Sequence, residues 1–212
     1  MSIPDNSFPD ENFPDKNKRY TYEDYLTWDF DIPYELIDGI PYPKYGSEPY
    51  EIVAMAGTAR GHQMVRGEIE RQLRNFLKGK QCEVFSENFD VRPDANDEKV
   101  TVQPDIIVVC DLSKVDDRGV KGPPDLVIEV LSQKTQKKDK TTKLKLYQKA
   151  GVKEYWLVNP RSIYVDVFIL EDGKYGLPLS YSYEDTVDVH VLEGCTINLQ
   201  EVFEGLIKEE IY

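Results

Sequence analysis

Two apolar stretches of this chain carry acids where a sheet core would normally exclude them. One reads Val-Gln-Pro-Asp-Ile-Ile-Val-Val over 102–109, the other Pro-Pro-Asp-Leu-Val-Ile-Glu-Val-Leu over 123–131. Asp105 and Glu129 interrupt these runs, and an unpaired ionised carboxylate in such a place is expensive. Two acids on neighbouring strands can together hold a hard divalent cation through oxygen ligands. Magnesium fits, with manganese as a substitute, and the chemistry is then metal-assisted phosphoryl transfer to water. The main-chain carbonyl of Val130 offers a further oxygen ligand. Glu35, in the apolar-flanked segment Tyr34-Glu35-Leu36-Ile37, is a candidate fourth member.

A lysine-rich segment follows the second acid. Leu144, Leu146, Tyr147 and Ala150 set the apolar arc of a helix over 136–150. With Asp139 at the origin of an α-helical wheel, Lys143 falls at about 40°, close to the centre of that arc. Lys140 lies on the inward half as well, whereas Lys138, Lys145 and Lys149 point to the opposite side. A long lysine stem can snorkel to water. An inward ammonium otherwise needs a carboxylate or a phosphate, and Glu129 in the preceding strand is the economical partner. Lys143 is thus placed to stabilise negative charge or to position a nucleophile. On an earlier helix, predicted over 61–77, His62 shares a face with Ile69, Leu73 and Phe76, with Val65 beside it. That face favours a buried or half-buried histidine.

These side chains must be held by a framework of strands and helices. Residues 1–17, with the near-duplicate Ser-Phe-Pro-Asp-Glu and Asn-Phe-Pro-Asp-Lys, read as a flexible acidic leader, and 18–212 as one domain. Thr21 and Asp24 form a capping box opening a short helix. An extended piece over 34–37 runs into the turn Asp38-Gly39, and 52–55 is a further candidate strand. Strands are expected over 82–85 and 87–92, then polar loops over 93–99 and 111–122. The Asp105 and Glu129 strands are expected to be neighbours. Gly151 ends the lysine helix. Strands over 154–158 and 163–170, an extended segment over 187–192 and a small helix over 199–207 complete a mixed α/β or α+β domain with a central sheet.

Composition narrows the class. At 212 residues the chain is long enough for a self-sufficient core. The three cysteines, Cys82, Cys110 and Cys195, are odd in number and far apart, which argues against both structural zinc and a disulfide framework. The polar, acidic N-terminal residues do not resemble a signal peptide. No apolar run approaches the length of a membrane span, so the expected location is the cytoplasm. The formal net charge of −13 speaks against tight non-specific DNA binding. An acidic chain can still act on DNA where its positive charge is local or where metal neutralises the acids.

In combination, these residues resemble the PD-(D/E)XK nuclease fold, in particular its restriction-endonuclease-like branch. The matching stretches are Tyr-Glu-Leu-Ile-Asp-Gly at 34–39, His62, Gln-Pro-Asp-Ile at 103–106 and Pro-Asp-Leu-Val-Ile-Glu-Val-Leu-Ser at 124–132. Thr135, Asp139, Lys143 and Tyr147 follow, then Ala-Gly-Val-Lys-Glu-Tyr-Trp-Leu-Val-Asn-Pro at 150–160. The resemblance implies a mixed four-stranded core sheet flanked by helices, with added edge strands. It implies Asp105 and Glu129 as metal-binding acids, Glu35 as an additional acid, and His62 bordering the cleft, where it would contact substrate. The lysine that the wider fold places two residues after Glu129 is replaced by Leu131, and Lys143 takes the migrated position. The implied activity is divalent-metal-dependent hydrolysis of DNA phosphodiesters, often by homodimers. Two alternatives stand beside it: a non-catalytic nucleic-acid or protein-interaction domain that kept the fold, and hydrolysis of another phosphorylated or nucleotide substrate.

Overall fold

The computed structural model describes residues 14–30, 32–50 and 59–207. In chain order, helix α1 (Tyr22–Leu26) precedes a hairpin of β1 (Tyr34–Ile37) and β2 (Ile40–Pro43). Helix α2 (Arg60–Leu77) leads to β3 (Glu83–Ser86), β4 (Asp90–Arg92) and β5 (Ile106–Val109). Two short strands, β6 (Val115–Asp116) and β7 (Gly119–Lys121), precede β8 (Leu126–Val130). Helix α3 (Gln136–Lys138), a π-helical turn (Asp139–Lys143) and helix α4 (Leu144–Ala150) form one composite helix. Next come β9 (Glu154–Asn159), β10 (Tyr164–Glu171), β11 (Lys174–Tyr175), β12 (Leu179–Ser182), β13 (Thr186–Asp188) and β14 (Thr196–Asn198). Helix α5 (Leu199–Ile207) is the last described element.

The main sheet has seven strands in the order β11-β10-β9-β8-β5-β3, with β12 also paired to β10. It is mixed: β8 and β9 run parallel, joined by the composite helix, while β8 and β5 are antiparallel. Side chains alternate across it, as the period of two requires. Ile106, Val108, Leu126, Ile128 and Val130 pack with Val65, Ile69 and Leu73 of α2 and with Phe203 of α5. Ile107, Val109, Val127 and Leu131 face the other way, towards Tyr147, Tyr155 and Leu157. The sheet is therefore covered on both faces, which explains why its central strands read as continuous apolar runs.

The register decides where the acids go. Ile106 pairs with Ile128 and Ile107 with Val127. Carrying that ladder one residue outward sets Asp105 opposite Glu129, on the face of the sheet that packs against α4. The β1–β2 hairpin turns at Asp38 and Gly39, both at positive φ, as the Asp-Gly turn predicts. It is tied on through Leu36 and Thr101, whose backbones exchange hydrogen bonds of 2.7 and 2.8 Å. That junction carries Glu35 towards Glu129.

Several expectations need correcting. The loop predicted over 111–122 contains a 3-10 turn (Leu112–Lys114) plus β6 and β7, which join β4 in a small three-stranded sheet. The strand expected over 187–192 is shorter and earlier, at Thr186–Asp188. Cys82 and Cys110 form a disulfide, contrary to the reading from their spacing. Glu83 pairs with Val109, so the residues just beyond them face each other across the β3–β5 edge, with Cα atoms 3.9 Å apart. A separation of 28 residues along the chain gave no sign of that contact. Most of the leader and the strand expected over 52–55 lie outside the described residues. Among the described residues, no helix is long and apolar enough to cross a membrane.

Candidate active site

Asp105, just before β5, is fixed at its carboxylate. Its Oδ2 accepts a hydrogen bond of 2.7 Å from the Val130 amide and lies 3.2 Å from His62 Nε2. Burial pushes the Asp105 carboxyl up, but His62 and the Val130 amide outweigh it and leave the group below the ordinary aspartate value. The reciprocal effect acts on His62: burial opposes its charge, and the Asp105 carboxylate more than compensates, raising the imidazole. His62 is 8% exposed, and its Nδ1 has no hydrogen-bond partner among the described residues.

Glu129 is 4% exposed. Its Oε1 accepts hydrogen bonds from Lys143 Nζ at 2.8 Å and from the Tyr147 hydroxyl at 3.0 Å. Lys143 Nζ is also 2.7 Å from Glu35 Oε1 and 3.8 Å from Asp139 Oδ1. Glu35 is fully buried; its Oε1 also accepts from the Gln103 amide at 3.0 Å. Its Oε2 lies 2.8 Å from Lys138 Nζ, a contact held by charge without hydrogen-bond alignment. The Lys138 ammonium donates instead to the carbonyls of Pro43 and Lys44. Glu35, Asp105, Glu129, Lys143 and His62 thus stand together at one place, with Lys138, Asp139 and Tyr147 added.

The inward position of Lys138 corrects the helical wheel. It is 1% exposed, not turned to solvent. The π-helical turn over Asp139–Lys143 is the cause. In such a turn residues five apart align, whereas in an α-helix they diverge by about 140°. Lys138 and Lys143 therefore share a face and each take one oxygen of Glu35. Lys140 does not enter this cluster; its Nζ meets the Tyr164 hydroxyl at 3.1 Å. Tyr147, read from the sequence as packing, is also a hydrogen-bond donor to Glu129.

A simple charge count describes the site. Glu35, Asp105, Glu129 and Asp139 are four buried carboxyls, and Lys138 and Lys143 are two buried ammoniums. With these six and the buried Lys44 of the same cleft ionised and His62 neutral, one negative charge remains. The cluster relieves this by holding protons. Burial lifts Glu129 to about 8 against the pull of Lys143, with Asp139 and Asp105 adding to the rise. Burial lifts Asp139 to about 6, again opposed by Lys143. At Glu35 burial acts upward too, but Lys138 and Lys143 prevail and hold it near 2. Lys143 itself sits well above its usual value, since the three carboxylates overcome its desolvation.

The cluster opens onto a cleft of about 940 Å³, lined by Asp105, Glu129, Val130 and Lys143 among others. Among the described residues, no three His, Cys, Asp or Glu side chains converge as a closed metal cage. Magnesium does not need one, because it retains several waters and takes one or two carboxylates. Asp105 and Glu129 each have a second carboxylate oxygen with no hydrogen bond among the described residues. Two hard oxygens among buried acids that outnumber the buried ammoniums fit a divalent cation.

A mixed sheet covered by helices, with an acid at the mouth of one strand, an acid in the next and a lysine on the following helix, defines a restriction-endonuclease-like fold. The model of the Uma2 family, described as "putative restriction endonuclease", matches residues 22–200. The chain belongs to this family, and family and fold together place it among nuclease-type proteins. It is similar to an uncharacterised protein, slr1290, of Synechocystis sp., at 26% identity over 183 residues, 78% of this chain and 95% of that protein. A crystal structure described as a putative nuclease belonging to DUF820, from Anabaena variabilis, superposes with a TM-score of 0.67. It is 17% identical and covers 88% of this chain and 99% of its own. At that identity the likeness is one of fold.

Proposed function

We propose that this protein is a divalent-metal-dependent endonuclease that hydrolyses DNA phosphodiester bonds. The observation that carries the proposal is geometric: Asp105 and Glu129, side by side in one cleft that Lys143 also lines, each keep a carboxylate oxygen without a hydrogen bond among the described residues. Asp105 and Glu129 would hold magnesium, or manganese in its place, with the Val130 main-chain carbonyl as a third protein oxygen. Bound there, the cation supplies Lewis-acid polarisation of a phosphate oxygen and a more acidic water.

The remaining work falls to the chain. Lys143 Nζ, fixed by Glu129 and Glu35, presents its charge to the cleft, where it stabilises the negative charge that grows on the phosphate oxygens. Its three carboxylate neighbours keep it protonated, so it acts as an electrostatic group and a hydrogen-bond donor to the phosphate oxygens, not as the base for the attacking water. Glu35 fixes the position of Lys143 from behind. Tyr147 orients Glu129, and the Val130 amide orients Asp105. His62, against Asp105 at the cleft wall, borders the path of the substrate. A homodimer would present two such sites, one for each strand of a duplex. A cytoplasmic setting, where DNA is accessible, suits this activity.

The test is cleavage of supercoiled plasmid with magnesium or manganese, beside folded Glu129→Ala and Lys143→Ala proteins. Nicking or linearisation by the wild type, lost in both variants, is the expected result. Cleavage that survives in either variant would remove that residue from the mechanism. Metal binding without cleavage of any DNA form would favour the non-catalytic alternative.

A further inference from the structure

Lys44 lies immediately after β2 and lines the same cleft as Asp105, Glu129 and Lys143. Its main chain is held firmly. The amide donates to the Pro33 carbonyl at 2.9 Å, and the carbonyl accepts from Lys138 Nζ at 3.0 Å. Its side chain is another matter. The residue is 6% exposed, and among the described residues its Nζ has neither a hydrogen-bond nor an ion-pair partner. The Tyr45 ring centroid lies 5.9 Å from the ammonium, at the outer limit of a cation–π contact. Such a contact supplies about 0.5–2 kcal/mol, whereas burying an unpaired ion costs several.

The two neighbouring buried lysines show what is missing. Lys138 and Lys143 each have a carboxylate within 2.8 Å. Lys44 has none, although its backbone is bonded to Lys138. A cation placed against a cleft, with no anion of its own, is set up to receive an anion from outside. Lys134 and Arg161 line the same cleft, are exposed, and form no ion pair among the described residues. In a chain of net charge −13, three cations without ion-pair partners among the described residues, around one cleft, form a local exception.

We propose that Lys44 anchors a phosphate group of the substrate, separate from the one at the metal-binding acids, with Lys134 and Arg161 continuing the contact along the backbone. The ligand chemistry is a phosphate oxyanion, which a lysine binds as a point charge. The assignment rests on the nuclease reading for its polymer substrate, but not for the anion site itself. Lys44 is a binding residue in this scheme and takes no part in bond cleavage.

The experiment compares wild type, Lys44→Met and Lys44→Arg, with thermal melts to establish that each variant is folded. Methionine keeps the apolar stem and removes the charge; arginine keeps the charge. Affinity for a short labelled DNA duplex is measured by fluorescence anisotropy in calcium across a range of salt, and inorganic phosphate is titrated separately as a competitor. Losing one charge-assisted contact should weaken duplex binding about ten- to a hundredfold in Lys44→Met. The slope of log affinity against log salt should become shallower by about 1. Lys44→Arg should restore both. Equal affinity and slope in wild type and Lys44→Met overturns the proposal, as does failure of the wild type to bind either duplex or phosphate. Competition by phosphate as strong as by duplex would keep the anion site but make free phosphate its ligand. Plasmid cleavage separates the two readings. Lys44-dependent binding without cleavage sinks the nuclease and keeps the anion site, and cleavage unaffected by Lys44→Met does the reverse.

Discussion

Replacing Lys143 with methionine removes the ammonium from the centre of the acid cluster while keeping most of its volume. At an effective dielectric of about 20, each of the contacts to Glu35 and Glu129 is worth roughly 6 kcal/mol of Coulomb attraction. Desolvation of the ammonium offsets much of this, and breaking a buried pair typically costs about 3–5 kcal/mol. That is a large share of the stability of an ordinary domain. The loss should depend on pH, with a sign fixed by Glu129. Its folded value, already lifted to about 8 by burial, is opposed by Lys143 and rises further without it. A carboxyl raised on folding contributes stability that is complete below its unfolded value and is lost as pH rises through the folded value. Lys143→Met should therefore be mildly destabilised near pH 5, where the cluster can take up protons, and lose the full amount near pH 8. Urea unfolding at both pH values measures this, and Glu129→Gln in the same background should recover part of the loss. A variant as stable as wild type at pH 8, or one hurt more at pH 5, would refute the charge accounting.

Three further outcomes are expected. Magnesium at about a hundred times its dissociation constant should stabilise the protein by about 2.7 kcal/mol. The effect should grow as pH rises through the Glu129 titration near 8; a pH-independent shift, or one retained in Glu129→Gln, would speak against binding at that carboxylate. Tyr147→Phe deletes a buried hydroxyl 3.0 Å from Glu129 Oε1 and should cost about 1–3 kcal/mol in urea unfolding, with no loss if the hydroxyl is merely packed. Reducing the Cys82–Cys110 bond reopens a loop of sequence separation 28 and should lower stability by about 3–4 kcal/mol on the chain-entropy account, read as a lower melting temperature in dithiothreitol that is absent from the Cys82→Ala/Cys110→Ala double variant.

Much of the candidate site was legible because its residues break local rules. Asp105 and Glu129 stand out as acids in apolar strands, whereas their facing each other is set by the β5–β8 register. Lys143 stands out as a cation within an apolar arc. Lys138 was missed for one physical reason: a wheel drawn at a constant α-helical angle cannot show a π-turn, which changes the phase of everything on its N-terminal side. The disulfide was missed because cross-strand neighbours are set by register, and separation along the chain carries none of that. Lys44 gives no local signal at all, for it follows a short proline-flanked strand and becomes unusual only once its buried surroundings are known. The Tyr147 hydroxyl is similar: aromatic periodicity predicts its burial and is silent about which atom its oxygen meets.

The grip of two lysines on Glu35 also has a mechanical side. The β1–β2 hairpin lies outside the main sheet, yet its first strand is held through Glu35 to both Lys138 and Lys143, and the end of its second is held through the Pro43 and Lys44 carbonyls to Lys138. Hairpin and composite helix consequently behave as one latch, closed by charge. Whatever draws Lys143 towards the cleft slackens that latch, and by reciprocity whatever loosens the hairpin changes how readily Lys143 can turn outward. Hydrogen exchange at the amides of Leu36 and Thr101, which tie the hairpin to the chain ahead of β5, would then report on what occupies the cleft.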